Sequence, residues 1–204
     1  MYFCTLRINN QQVIKSILQF IEQGFQILLM PEKHWGRISA EKNEEQGVFT
    51  RSFLPGLIMV FVAVILGDFL FSKSTGFVLI DALIKAFRVS LLVLMTFLAS
   101  TMVLYEISRW QKIHLGFDAS KRIIVYAMFA MFLALVISGI FPFMYFVNVF
   151  SFYSLYLIYV AVNKITGTNF NAKPLFFIVL FTAIIAVHLL LALLLSILTA
   201  LIVY

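Results

Sequence analysis

Apolar and polar positions follow two regimes along this chain. Up to residue 52 they mix at helical spacing or give way to charged sequence, and from residue 53 onward long uncharged stretches follow one another. Between Gln12 and Met30 the apolar residues Val13, Ile14, Ile17, Leu18, Ile21, Phe25, Leu28 and Leu29 recur every three or four positions, with Lys15 and Glu22 between them. That spacing predicts an amphipathic helix at about 12–30 with a single apolar stripe, lying among lipid headgroups or packed under a bundle. Asn9 or Asn10 would cap its start, and Pro31 would stop it.

The following segment, PEKHWGRISAEKNEEQGVFTR, reads as a linker because charges cluster there and Gly36 and Gly47 punctuate it. Trp35 is its lone large apolar group. Flanked by Lys33, His34 and Arg37, it is expected at the membrane interface, with the indole half buried and the cations on anionic headgroups.

The uncharged stretches predict five membrane spans. The first runs over 54–71, with Asp68 in its last turn, and the second lies over 88–106, between Arg88 and Glu106. Its approach, GFVLIDALIKAFRV, sets Asp81, Lys85 and Arg88 at helical neighbour spacings, so Asp81 could pair with Lys85 along the helix. Residues 77–88 are therefore either an interfacial helix or an extension of the second span. From Ile123 to Asn163 the chain carries no charge and is long enough for two helices of ~20 residues each. Gly139 and Pro142 mark a turn near its middle, which splits it into spans over 123–140 and 143–162. The last span starts at Pro174, a good first-turn residue, and covers 174–203; it outruns a ~30 Å hydrocarbon core and must tilt, bend or protrude. The expected fold class is all-α: a polytopic membrane bundle of five transmembrane helices (53–204) behind an N-terminal segment (1–52) that carries the amphipathic helix.

Composition strengthens this reading. Of 204 residues, 63% are hydrophobic and only 12% charged, and 23 are Phe, whereas a soluble domain is about half apolar and a quarter charged. The net charge of +6 would raise the question of nucleic acid in a soluble protein; here it is an orientation signal, and no nucleic-acid partner is expected. With five spans, the cations of the N-terminal segment, those from Arg109 to Arg122, and Lys164 and Lys173 all fall on one side. The positive-inside rule then predicts a cytoplasmic N-terminus and a C-terminus on the far side of a cell membrane, with the compact form suggesting a bacterial inner membrane. A single Cys, Cys4, excludes an internal disulfide, and residues 1–30 lack the order of a signal peptide.

Ionisable groups inside spans are costly, which singles out Asp68, Glu106 and His188. Asp68 and Glu106 lie near span ends, where a side chain reaches water. His188 is deeper and could bond a neighbouring helix or act in a proton relay. His34, His114 and His188 are far apart, and no zinc-protease motif, nucleophile elbow or glycine-rich phosphate loop occurs. No catalytic residue, metal ligand or cofactor is expected. Small residues recur every fourth position as Ala130, Ala134 and Ser138 and again as Ala192, Ser196 and Ala200, which allows close helix packing within the bundle or between subunits. Tyr153, Tyr156 and Tyr159 share a broad face with Asn148, Ser151 and Ser154 that could line a cavity or hydrogen-bond other helices.

The C-terminal half combines a basic loop holding Leu115-Gly116, two close-spaced spans turning at a Pro, the run SFYSLYLIYVAVNKI at Ser151 to Ile165, and a final span. It resembles the Yip1 domain family, and its small bacterial members in particular. The Tyr-Ser-Leu-Tyr-Leu run at 153–157 carries most of the likeness, and ILLMPEKHWGRI, with Pro31 and Trp35, looks like the segment ahead of the first span there; the resemblance covers about residues 27–200. Many members have a Gly after the Tyr run, where this chain has Ala161. The resemblance implies a five-span bundle with a cytoplasmic N-terminus. Eukaryotic relatives are associated with Rab GTPases and vesicle traffic, while the cytoplasmic segment here is short and basic.

The expectation is a non-enzymatic adaptor or membrane-organising subunit. Its interaction surface would be Ile17, Ile21, Phe25 and Trp35, and its partners membrane lipids and other membrane proteins or further copies of itself. The rival is a small transporter, channel or lipid-handling protein, with Asp68, His188 and the tyrosines Tyr153, Tyr156 and Tyr159 lining a polar pathway between helices.

Overall fold

A computed structural model describes residues 21–40, 49–71, 78–113, 115–167 and 174–203, and among these all regular structure is helical. The N-terminal stripe continues into helix α1, described over 21–29; Ile17 and the rest of 12–20 lie outside the described residues. Pro31 does not stop the chain's helical course. It opens α2, Pro31–Ala40, where a linker was expected. The Met30 N–H still bonds the Gln26 carbonyl at 2.9 Å, and the His34 N–H bonds the Met30 carbonyl at 3.2 Å. Proline lacks one N–H and so removes one rung, which makes a kink where two good helices abut.

A π-helical turn, Phe49–Phe53, leads into α3, Leu54–Phe71. Next comes α4, Leu79–Trp110, unbroken over 32 residues. Of the two readings left open for residues 77–88, the extension of the second span therefore holds from Leu79 on. Lys85 does not pair along the helix with Asp81; its Nζ donates to Asp68 Oδ1 at 2.7 Å across the α3–α4 hairpin. A tertiary partner held at the right distance outweighs a local i, i+4 pair worth only a few tenths of a kcal/mol, ~0.2 to 0.5.

The third span begins earlier than the uncharged stretch, as α5, Phe117–Ala127, and bends at Met128 into α6, Phe129–Ile140. The chain reverses at Phe141 (φ −116°, ψ 85°), and Gly139 lies inside α6, outside the turn it was expected to mark. The fourth span is composite: Pro142–Phe152 is wound as a 3-10 helix with no buried residue, and only then does α7 form, Tyr153–Thr166. The last span is α8, Pro174–Val203. Five of these helical stretches are long and apolar enough to cross a bilayer.

Two close approaches organise the bundle. Helix α3 lies along α6 with Gly67 against Gly139: a Cβ on Gly67 would overlap the Gly139 carbonyl oxygen. Around the other end of α3 the rings of Phe53, Phe97 and Phe132 gather, 4.4 Å and 5.6 Å from Phe53 centroid to centroid. Helix α8 packs on α4 through Phe176, Leu180 and Ile184, which are buried, while Leu189, Leu193 and Ile197 beyond them face outward.

Candidate functional site

Side chains singled out for chemistry are distributed through the bundle as ties between helices. Asp68 joins α3 to α4 through Lys85. His188 joins α8 to α4: its Nδ1 is 3.0 Å from the Thr96 hydroxyl, with the direction of the bond set by the imidazole tautomer. Thr96 is buried, and the pair lies near the middle of both helices, where an unmet polar group would be most costly. Two further ties are of the same kind. The Tyr153 hydroxyl donates to the Leu28 carbonyl at 3.1 Å, joining α7 to α1, and the Ser138 hydroxyl donates to Asn148 Oδ1 at 3.0 Å, joining α6 to the 3-10 segment.

The three tyrosines do not converge on a shared cavity. Tyr153 stacks on Phe150, with centroids 5.4 Å apart and planes at 7°, and Tyr159 stands edge-on to Phe177 of α8 at 4.6 Å. Tyr156 packs obliquely on Tyr153 at 5.3 Å and is 45% exposed. Asp68 lies in the last turn of α3, His188 midway along α8 and the tyrosines on α7, so apart from the contact between Tyr153 and Tyr156 these groups belong to separate elements. Among the described residues no three His, Cys, Asp or Glu side chains gather as a metal site.

Of the expected interaction surface, Ile21 is half buried, and Phe25 is 48% exposed with its ring edge-on to Phe129 at 6.3 Å. Trp35 corrects the interfacial reading, for it is fully buried. Its ring stands edge-on to Tyr126 of α5 at 6.0 Å and to His34 at 6.5 Å, and α2 packs on α7. Helix α2, packed on α7, carries the indole inside, with its Nε1 lacking a hydrogen-bond partner among the described residues.

Between α1, α3 and α6 opens a groove of about 180 Å³, lined by Phe25, Gly56, Met59, Phe132 and Val136 among others. The backbone approaches at Gly56, Gly67 and Gly24, the last against the Phe129 ring, escaped the sequence reading. Isolated glycines inside apolar helices were the available signal.

The small-residue stripes divide. Ala130 and Ala134 are fully buried in the bundle, whereas Ser196 and Ala200 are exposed on α8.

The Asp68–Lys85 tie allows a double-mutant test. The two side chains are 23% and 59% exposed, so the coupling is expected at about 1 kcal/mol, well under the cost of splitting a fully buried pair. Lys85→Met and Asp68→Leu should each destabilise, and the double variant should regain most of the loss in thermal unfolding; strict additivity would refute the tie.

Long apolar helices bound by sparse intramembrane hydrogen bonds define a multi-pass helical membrane protein. The family model of the Yip1 domain matches residues 25–195, and the chain belongs to that family. No curated protein and no solved structure matches it.

Proposed function

We propose that this Yip1-family protein is a non-enzymatic adaptor or membrane-organising subunit that works through its helix surfaces. The observation that carries the reading is that Asp68, His188, Tyr153 and Ser138 are each engaged in a bond between two helices, with the groove between α1, α3 and α6 apolar. Groups committed to holding the bundle together are poorly placed to conduct a solute, which favours the adaptor over the transporter. In this reading the N-terminus is cytoplasmic and the C-terminus lies across a bacterial inner membrane. Contacts are with membrane lipids and with other membrane proteins or further copies of the chain, made through Ile17, Ile21 and Phe25 and through the outward face of α8.

The test is mass determination of the protein extracted into native nanodiscs. A stoichiometric protein partner or second copy is expected, and it should be lost when Ile17, Ile21 and Phe25 are replaced by Ser. A monomer without partners, together with a solute flux in liposomes that Asp68→Asn or His188→Ala abolishes, would overturn the adaptor reading in favour of transport.

A further inference from the structure

The groove between α1, α3 and α6 has the wrong chemistry for water and the right one for hydrocarbon. It is lined by the side chains of Ile21 and Phe25 on α1, Met59 on α3, and Phe132 and Val136 on α6, with the Phe132 ring packed close against Gly56. A buried water needs two to four polar partners, and these walls offer none; an apolar cavity of ~150 Å³ stays dry and accepts a hydrocarbon guest. Gly56 and Met59 lie in the first turns of one spanning helix, and Phe132 and Val136 lie within another, so the groove opens inside the apolar layer where the available hydrocarbon is a lipid chain.

Cations stand at the same end of the bundle. Lys121 and Arg122 lie about two turns before Phe129 on the same bent span. Lys121 is held there, with its Nζ 5.6 Å from the centroid of the Phe49 ring. Positive charge above an apolar slot matches a phosphate headgroup above its acyl chain.

We infer that this groove is a lipid site that holds one acyl chain of an anionic phospholipid, with the headgroup toward Lys121 and Arg122. The groove shares Ile21 and Phe25 with the proposed contact surface of α1, but the labelling below is read on the chain alone in lipid, so its outcome does not depend on any protein partner.

Photo-crosslinking tests it. The full chain is placed in nanodiscs of phosphatidylcholine containing a trace of phosphatidylglycerol with a diazirine on its acyl chain, and adducts are mapped by mass spectrometry. Adducts on the peptides carrying Phe25 and Met59 should exceed those on Leu189 and Leu193 of α8, whose exposed faces report ordinary surrounding lipid, by several-fold. The same probe on a phosphatidylcholine headgroup should label the groove several-fold less. Val136→Trp fills the slot and should abolish groove adducts while leaving those on α8 unchanged; if it does not fold, the smaller Val136→Phe replaces it and should reduce them. Groove labelling no denser than on α8, equal labelling by the two headgroups, or labelling that survives in a folded filled variant would each overturn the inference.

Discussion

Trp35→Ala should cost about 3 to 5 kcal/mol of stability, the range for emptying a buried Trp or Phe site. The indole is fully buried against Tyr126 and His34, and α2 has few other large side chains with which to hold the bundle. Its removal should release α2 from α5 and α7, which limited proteolysis in the 30–49 region would detect alongside a fall in thermal stability. Trp35→Phe separates packing from polarity. It keeps a ring in the site and removes a buried Nε1 donor that has no partner among the described residues, so its loss of volume is offset and the net change should stay within about 1 kcal/mol. A Phe variant as damaged as the Ala variant would mean that the N–H is bonded after all. An Ala variant with normal stability and protection would mean that α2 is not docked.

At the crossing of α3 and α6, two glycines face each other with unequal room. A side chain at Gly67 meets the carbonyl oxygen of Gly139, which is backbone and cannot step aside. Added to Gly139, a Cβ would come no nearer than 3.3 Å to the Val64 amide nitrogen, a tight contact that small shifts relieve. Gly67→Val is therefore expected to lose about 3 kcal/mol, the upper range for overpacking, and Gly139→Ala about 1 kcal/mol. Thermal unfolding of both variants in the same nanodisc decides it. Equal effects, or a larger one at Gly139, would show that the helices do not cross at these positions.

How much of this could be read in the sequence depended on whether the cause was local. Hydrophobic length locates helices that cross a bilayer, because a helix satisfies its backbone within one uninterrupted apolar segment. It is blind to continuation through charged turns: Asp81, Lys85 and Arg88 stay helical at the start of α4, and α5 starts at Phe117 although Lys121 and Arg122 lie ahead of the uncharged stretch. Nor does it distinguish the 3-10 winding of Pro142–Phe152 from α-helix, since both are equally apolar.

The candidate chemistry was less legible still. Lys85 has a plausible partner four residues away in Asp81 and a real one across a hairpin in Asp68, and only three-dimensional proximity decides between them. Trp35 among charges has the composition of an interface residue; its burial follows from the packing of α2 on α7 and of the indole on Tyr126, contacts that are distant in sequence. His188 was identifiable as a costly group, but its partner Thr96 is an unremarkable residue in an apolar helix.

The spans differ greatly in length, and the difference bears on the lipid around them. Helix α3, with 18 residues, measures about 27 Å, close to the hydrocarbon thickness, while α4, with 32, measures about 48 Å and α8, with 30, about 45 Å. Both α3 and α8 pack on α4, and each keeps an exposed apolar flank of its own, Ile58 and Val62 on α3 and Leu189 and Leu193 on α8. Each flank then matches a bilayer of different thickness: the lipid beside α3 can stay at rest, while beside α8 it must thicken or the helix must lean. A membrane containing many copies would carry that mismatch as an elastic strain with a direction, shared between neighbours that align their long flanks.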